Sequence, residues 1–348
     1  MDYRSSPCCH EKAQRRWLWY RDRLVLVILS ILFLFFLGIF FTPLKLFSKI
    51  FSHYLRIMSL PVLAGLLMGG LVDYFVPKEY ISKHLSGSGK RSILYSVGLG
   101  FLMSACSHGI LALSVELYRK GASIASVMSF LLASPWANLP VTFLLVGLFG
   151  TTGILIIGSA LWIAFVTGYA FQFLDKRGWI EVNPHTVTVS ENFSVRQDLK
   201  NRWKARSWNR DSLKKDFFGV LHGIWELSEM VLGWILIGMV LASIVSAWVP
   251  DHFFHHYMNA NGVGLFMTLA FATVLEICSE GTAPLAFEIF KHTGALGNCF
   301  VFLMAGVVTD YTEIGILWTN IGRKTVFWLL LLTIPQTLFL GWIYNVYF

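Results

Sequence analysis

The chain has 348 residues, 55% of them hydrophobic and only 14% charged, and a mean hydropathy of +0.61, which excludes a soluble globule. The formal charge of +8 does not point to nucleic acid, because the 28 Lys and Arg lie between or at the ends of apolar blocks, where lipid headgroups and topology account for them.

Residues 1–23 form a basic leader, read as cytoplasmic, and the apolar run Leu24–Phe41 follows with no small-residue cleavage site behind it. That pattern predicts an uncleaved first helix, not a signal peptide. Further apolar blocks cover 57–76, 92–118, 121–149, 152–174, 217–249, 261–290, 295–319 and 325–347. Crossing a hydrocarbon core of ~30 Å takes about 20 helical residues, so the expected fold class is an all-α polytopic membrane protein. The stretch 175–216 is the one long polar segment and contains the Asn183-Pro184 turn signal. It separates a first transmembrane half, 24–174, from a second, 217–348. Five cysteines, two of them the adjacent Cys8 and Cys9, form no evident disulfide framework.

The halves repeat. Ala64–Pro77 aligns with Ile237–Pro250 at an offset of 173, sharing Gly65/Gly238, Val72/Val245, Val76/Val249 and Pro77/Pro250. Cys106–Arg119 aligns with Cys278–Lys291 at an offset of 172, sharing Cys-Ser-x-Gly, a Leu and the glutamates Glu116 and Glu288. Phe130-Leu131-Leu132-Ala133 then matches Phe302-Leu303-Met304-Ala305, and Asn138 falls opposite Asp310.

Charge orients the chain, since Lys and Arg in short loops stay cytoplasmic. If the two Cys-Ser-x-Gly blocks are re-entrant hairpins, 24 of the 28 basic residues fall inside and 4 outside, with the leader and linker cytoplasmic and Phe348 outside. Each repeat, the first counted without the leading helix at 24–41, then has three true crossings. An odd number makes the halves inverted repeats, whose broken or re-entrant helices meet at the membrane midplane.

The candidate site follows from that meeting. Cys106-Ser107-His108-Gly109 and Cys278-Ser279-Glu280-Gly281 place small, polar and ionisable residues inside apolar blocks, where unwound backbone is tolerated only when buried in protein or lining a wet cavity. Close helix packing is the plainer explanation for small residues there. Pro135 and Asn138 mark a break in the next crossing, and Asp310 occupies the matching place in the other half. A charge at the bilayer centre costs at least ~3 kcal/mol, so Glu276, Glu280 and Asp310 are expected to couple transport to a proton or cation. Cys106, Ser107, His108, Gly109, Pro135, Asn138, Cys278, Ser279 and Gly281 would line the solute path. Glu116 and Glu288 sit three residues before Arg119 and Lys291 and read as helix-end pairs. Thiols at Cys106 and Cys278, with Cys299, suit a thiophilic metal or metalloid solute. No resident metal site or cofactor is expected: Cys8-Cys9-His10 lacks a second ligand pair, and Gly87-Ser88-Gly89-Lys90-Arg91-Ser92 lacks both the first glycine and the hydroxyl of a phosphate loop.

Cys106-Ser107-His108, Phe130–Pro135 with Asn138, and Glu276–Pro284 through Ala305–Ile314 resemble the ArsP-like, or YraQ, family of predicted permeases over about 57–345. The resemblance implies a multi-pass permease of the bacterial inner membrane, and export of trivalent organoarsenicals is the activity attributed to some members. Family members carry Cys-Ser-Cys followed by a proline; this chain has His108 for the second thiol and Ala112 for the proline, while Pro284 keeps the proline in the other half. The expected partners are a small-molecule or ion substrate and the lipid bilayer, and the sequence is compatible with a homo-oligomer. An intramembrane enzyme using His108 with Glu276 or Glu280 is one alternative and a passive channel another. A duplicated, inverted architecture favours the permease, because it serves alternating access and gives an enzyme no advantage.

Overall fold

The structure is a computed structural model that describes residues 29–30, 42–75, 90–100, 107–119, 121–184, 210–275 and 279–348. The leader, most of 24–41 and most of the linker lie outside the described residues, as do Cys106, Glu276 and Cys278.

The described residues are helical throughout. In the first half they form α1 (Thr42–Phe75), α2 (Lys90–Gly100), α3 (Ser107–Arg119), α4 (Ile124–Ala137), α5 (Leu139–Phe149) and α6 (Thr151–Lys176). In the second they form α7 (Arg210–Trp248), α8 (Asp251–Tyr257), α9 (Gly262–Leu275), α10 (Ser279–Thr293), α11 (Leu296–Val308), α12 (Tyr311–Asn320) and α13 (Arg323–Tyr347). Among the described residues, four stretches are long and apolar enough to cross a membrane: Leu44–Leu71 in α1, α6, α11 with α12, and α13. Two bent pairs pass the same test, α4 with α5 at 49° and the end of α7 with α8 at 102°. The chain is a multi-pass membrane protein.

Helix α1 starts 15 residues before the apolar block at 57. Its early turns are amphipathic: Phe47, Phe51, Tyr54 and Met58 recur at helical spacing and are buried, while Lys45, Lys49, His53 and Arg56 are exposed. The blocks at 92–118 and 261–290 each resolve into two helices, α2 with α3 and α9 with α10.

Helices α4 and α11 form the centre, each burying every one of its residues. Around them the pairings run in parallel: α4 packs on α2, α3 and α6, and α11 packs on α9, α10 and α13. Two long helix pairs join the halves, and both are antiparallel. In one, Gly70 of α1 meets Ile224 of α7, Gly219 meets the Tyr74 ring, and Phe47 stacks on Trp248 with ring centroids 6.3 Å apart. In the other, Gln336 of α13 donates to the Thr167 hydroxyl of α6 at 3.2 Å, and the Tyr344 hydroxyl donates to the Leu155 carbonyl at 3.1 Å. Large side chains such as Leu60, Leu63, Trp162, Phe266 and Phe327 face outward, as lipid contact allows.

The hairpins open at opposite ends. Ser92 near the start of α2 is hydrogen-bonded to Ser126 at the head of α4, and Asn183, beyond α6, donates to the Tyr118 and Ala122 carbonyls at 2.8 Å each. So α2 leaves from, and α3 returns to, the end that carries residues 177–183. At the other end, Asn298 donates to the Asn259 carbonyl at 3.1 Å, and Asn345 donates to the Ala260 carbonyl at 3.1 Å and to Asn298 Oδ1 at 2.7 Å. There α9 begins and α10 ends. Helix α13 separates the two ends by its 25 residues, about 37 Å at 1.5 Å per residue.

At the first end Glu181 caps α13. Its carboxylate accepts from the backbone N–H of Lys324 at 2.7 Å, the N–H of Thr325 at 2.9 Å and the Thr325 hydroxyl at 2.7 Å. The N-cap Gly322 has φ +147, and a Cβ there would lie 2.3 Å from Glu181 Cδ. Burial pushes the Glu181 carboxyl up, but the hydrogen bonds from Thr325 and the backbone outweigh it and hold it below the usual carboxylate range. A lowered folded pKa contributes stability above the unfolded value of about 4.3, lost as pH falls through the folded one. The melting temperature of Glu181→Gln should therefore fall below wild type at neutral pH and converge with it in acid; equal melting at pH 7 would show that the cap is idle.

Close backbone packing makes a second expectation. A Cβ on Gly238 of α7 would lie 2.3 Å from the Gly281 carbonyl oxygen and 2.7 Å from its Cα, with only backbone to yield. Gly158 of α6 is exposed and a Cβ there meets nothing within 4 Å. Gly238→Ala should cost about 1 to 3 kcal/mol, read as a lower melting temperature in detergent, while Gly158→Ala leaves it unchanged or raised.

Candidate functional site

The site is built where helices stop inside the apolar layer. Pro135 sits buried in α4, and Pro140 supplies no N–H to the Trp136 carbonyl one turn back. The Thr142 hydroxyl takes that place, donating to the Trp136 carbonyl at 3.1 Å. Asn138 then starts the next helix: its Oδ1 accepts the Val141 N–H at 2.9 Å, an N-cap. In the second half Asp310 does the same for α12. Its Oδ1 accepts the N–H groups of Thr312 at 2.8 Å and Glu313 at 3.0 Å, and the Thr312 hydroxyl at 2.7 Å. The two residues matched by sequence thus perform one structural task.

Across from Asn138 stands Glu280, in the first turn of α10 and fully buried. Asn138 Nδ2 donates to Glu280 Oε1 at 3.4 Å, and the Ser279 hydroxyl donates to Oε2 at 3.3 Å. Negative charge is favoured at a helix N-terminus, where the N–H groups have no intrahelical partner. Gly281 lets α7 press directly on this turn, because Gly238 presents no side chain to it.

Asn138, Ser279 and Glu280 are therefore in contact, with Gly281 beside them. Asp310 is buried at the other break and directs these bonds to its own helix. Gly109 lies in the first turn of α3 and is half-buried; the side chains of Ser107 and His108 lie outside the described residues, as do Cys106, Glu276 and Cys278. Cys299 is a buried free thiol at the far end of α11 from Asp310, eleven residues and about 16 Å along the axis, so it is not a neighbour of that break. Among the described residues no group of three His, Cys, Asp or Glu side chains is disposed to hold a metal ion.

Sequence reasoning underrated Glu288. Lys291 does approach its Oε1, at 3.4 Å, as the i+3 spacing predicts. The stronger partners are others: the Tyr54 hydroxyl of α1 donates to Oε1, and His292 Nε2 lies 3.0 Å from Oε2. The available signal was Glu288 with His292 at i,i+4, which shares a helix face. Tyr54, 234 residues away, left none.

The predicted permease family named ArsP_1 matches residues 44–346. The chain belongs to that family. Among relatives, a candidate permease of Mycobacterium tuberculosis is 23% identical over 63% of this chain and 56% of its own length, so this chain spans little more than half of that protein. The Bacillus subtilis protein YcgR, of the UPF0718 group, is 24% identical over 77% of this chain and 86% of its own length. A protein of Streptococcus mutans named as a candidate subunit of a two-component membrane permease complex is 20% identical over 73% of this chain and 80% of its own length. No solved structure matches the chain.

Proposed function

We propose that this permease is a secondary transporter, not an enzyme, and carries a small solute through the cell membrane, the inner membrane in a bacterium, by alternating access between two inverted repeats. The halves are 24–174 and 217–348, joined by a cytoplasmic linker at 175–216. The observation that carries the reading is the contact of Asn138 with the buried Glu280 where a broken helix of one half meets a hairpin helix of the other. Antiparallel packing of α1 with α7 and of α6 with α13 supports the inversion, since an in-plane two-fold axis relates matched helices that way.

The matched helices also pack differently. Gly65 of α1 lies against Leu139 and Pro140 of α5, a Cβ there falling 2.5 Å from Pro140 Cα, whereas its counterpart Gly238 lies against Gly281 of α10. One repeated unit held in two packings supplies the two states that alternating access requires; exchanging them would loosen one end of the site as it tightens the other.

Glu280 and Asp310, with Glu276, take up the coupling proton or cation. Asn138, Ser279, Gly281 and Pro135, with Cys106, Ser107, His108, Gly109 and Cys278, line the path. A metalloid or trivalent organoarsenical is the substrate class that the family resemblance supports, with export as the direction, and the thiols of Cys106 and Cys278 are the groups suited to it.

Purified protein in vesicles under a pH gradient, offered trivalent arsenicals, soft metal ions and small thiols, tests the reading. Glu280→Gln and Asp310→Asn keep size and most hydrogen bonds but remove the titratable charge, so both should insert normally and lose the pH dependence of transport. Transport at the wild-type rate and pH profile in both variants would make these residues structural and overturn the coupling assignment.

A further inference from the structure

Glu288, His292 and Asp251 form a carboxylate–imidazole–carboxylate chain that needs one more proton than its hydrogen bonds can share without it. His292 Nε2 lies 3.0 Å from Glu288 Oε2, and Nδ1 lies 2.7 Å from Asp251 Oδ1. A neutral imidazole has a single N–H, so it satisfies one carboxylate and turns a lone pair toward the other. Both contacts are hydrogen bonds only when an additional proton sits on the ring or on one of the carboxyls. Oε1 of Glu288 is already engaged by the Tyr54 hydroxyl and by Lys291 Nζ at 3.4 Å.

The chain runs from the interior to the surface. Side-chain exposure is 0% at Glu288, 16% at His292 and 74% at Asp251, so water reaches the outer carboxylate but not the inner one. The Phe254 ring of α8 stacks on the His292 ring with centroids 4.7 Å apart and 3° between planes, fixing the imidazole between its partners. Three helices meet in the cluster: α10 through Glu288, Lys291 and His292, α1 through Tyr54, and α8 through Asp251 and Phe254.

We propose that His292, Glu288 and Asp251 form a proton-binding site, filled from the membrane face on which Asp251 is exposed, that latches the C-terminal end of α10 to α1 and α8. With the proton bound, both imidazole contacts hold. Once it leaves, one of them sets a lone pair against a carboxylate and the latch loosens. The latch end of α10 belongs to the same helix as Ser279 and Glu280, so its release frees the element that packs on Asn138. That consequence for transport rests on the permease reading above; the proton site does not.

The surroundings leave the titration to this set. On α1 the charged and titratable groups in the turns around Tyr54, Lys45, Lys49, His53 and Arg56, are exposed and off the Phe47–Phe51–Tyr54 face; Asp73 and Tyr74 lie about five turns farther along the helix. On α8, His252, His255 and His256 are exposed. At this level α7 offers Val245 and Val249, which line an apolar cavity of about 100 Å³ with Ile289 and Phe254. Helix α5 contributes Phe149, whose ring lies 5.9 Å from that of Phe290, and α11 carries no charged side chain. Glu280 lies two turns away on α10 itself.

Hydrogen–deuterium exchange on the full chain in lipid nanodiscs, from pH 5 to 8.5 and corrected for intrinsic exchange, reads the latch directly. Peptides covering 284–293 and 251–257 should lose protection roughly tenfold or more as pH rises, the loss of one charge-assisted hydrogen bond. His292→Gln, whose amide does not titrate in this range, should flatten the profile. Asp251→Asn, at an exposed position that tolerates change, should move the midpoint of the exchange profile to lower pH, since it removes a carboxylate that holds the extra proton on the ring. A pH-independent wild type, an unchanged profile in His292→Gln or an unmoved midpoint in Asp251→Asn would each overturn the proposal. Vesicle transport with the same preparations separates the two claims: transport with flat exchange rejects the latch and leaves the permease, whereas pH-dependent exchange without transport of any probe supports the latch and counts against the permease.

Discussion

Inside a bilayer every backbone N–H and C=O must find its partner within the protein, and the rest of this structure follows from how the chain meets that demand at two helix breaks. After Ala137 and after Val308 a crossing helix stops within the apolar layer. Each restart is capped by a side chain, Asn138 in one half and Asp310 in the other. The caps bring polar groups into the interior of the helix packing, and Asn138 gives the fully buried Glu280 a hydrogen-bond partner there. The proposed site for a polar solute or proton would thus arise from backbone bookkeeping before any ligand is considered.

Glycine decides how closely the helices that frame the site approach. Gly65 admits the α4–α5 break against α1, and Gly238 admits the first turn of α10 against α7. Backbone packed on backbone makes these contacts intolerant of added volume, yet it leaves few interlocked side chains to hold one arrangement over another. Contacts of this kind suit elements that exchange partners. The proposed latch at Glu288 would supply what the glycines do not, a directional tie on α10 through Tyr54 and His292.

Most crossings were legible because about 20 consecutive apolar residues leave no other element to form. Helices α6 and α13 and the α11–α12 pair fall within a few residues of the blocks at 152–174, 325–347 and 295–319. The start of α1 was not, because Lys45, Lys49, His53 and Arg56 dilute the hydropathy of turns whose other face is buried aromatic. Helix α8, seven residues between the apolar blocks at 217–249 and 261–290, left no apolar run to mark it. At the site, Asn138 and Asp310 were legible through the repeat, which placed two polar residues at matched positions. The helix-end pairing of Glu288 with Lys291 was legible from local spacing, whereas Tyr54, a partner supplied by tertiary packing alone, was not. The re-entrant reading of the Cys-Ser-x-Gly blocks rests on charge distribution; in the structure, Ser92 of α2 bonds Ser126 of α4 and Asn298 of α11 bonds the Asn259 carbonyl before α9.

Inversion of the halves is the central claim, and the number of crossings after the linker tests it most directly. With α7, the α11–α12 pair and α13 spanning and α9–α10 returning to its own side, a reporter fused after residue 195 and one fused after residue 348 must lie on opposite faces of the membrane. Activity of a cytoplasm-specific reporter at residue 195 and of a periplasm-specific reporter at residue 348 is the predicted result. Both positions reporting from the same face would contradict the inverted arrangement.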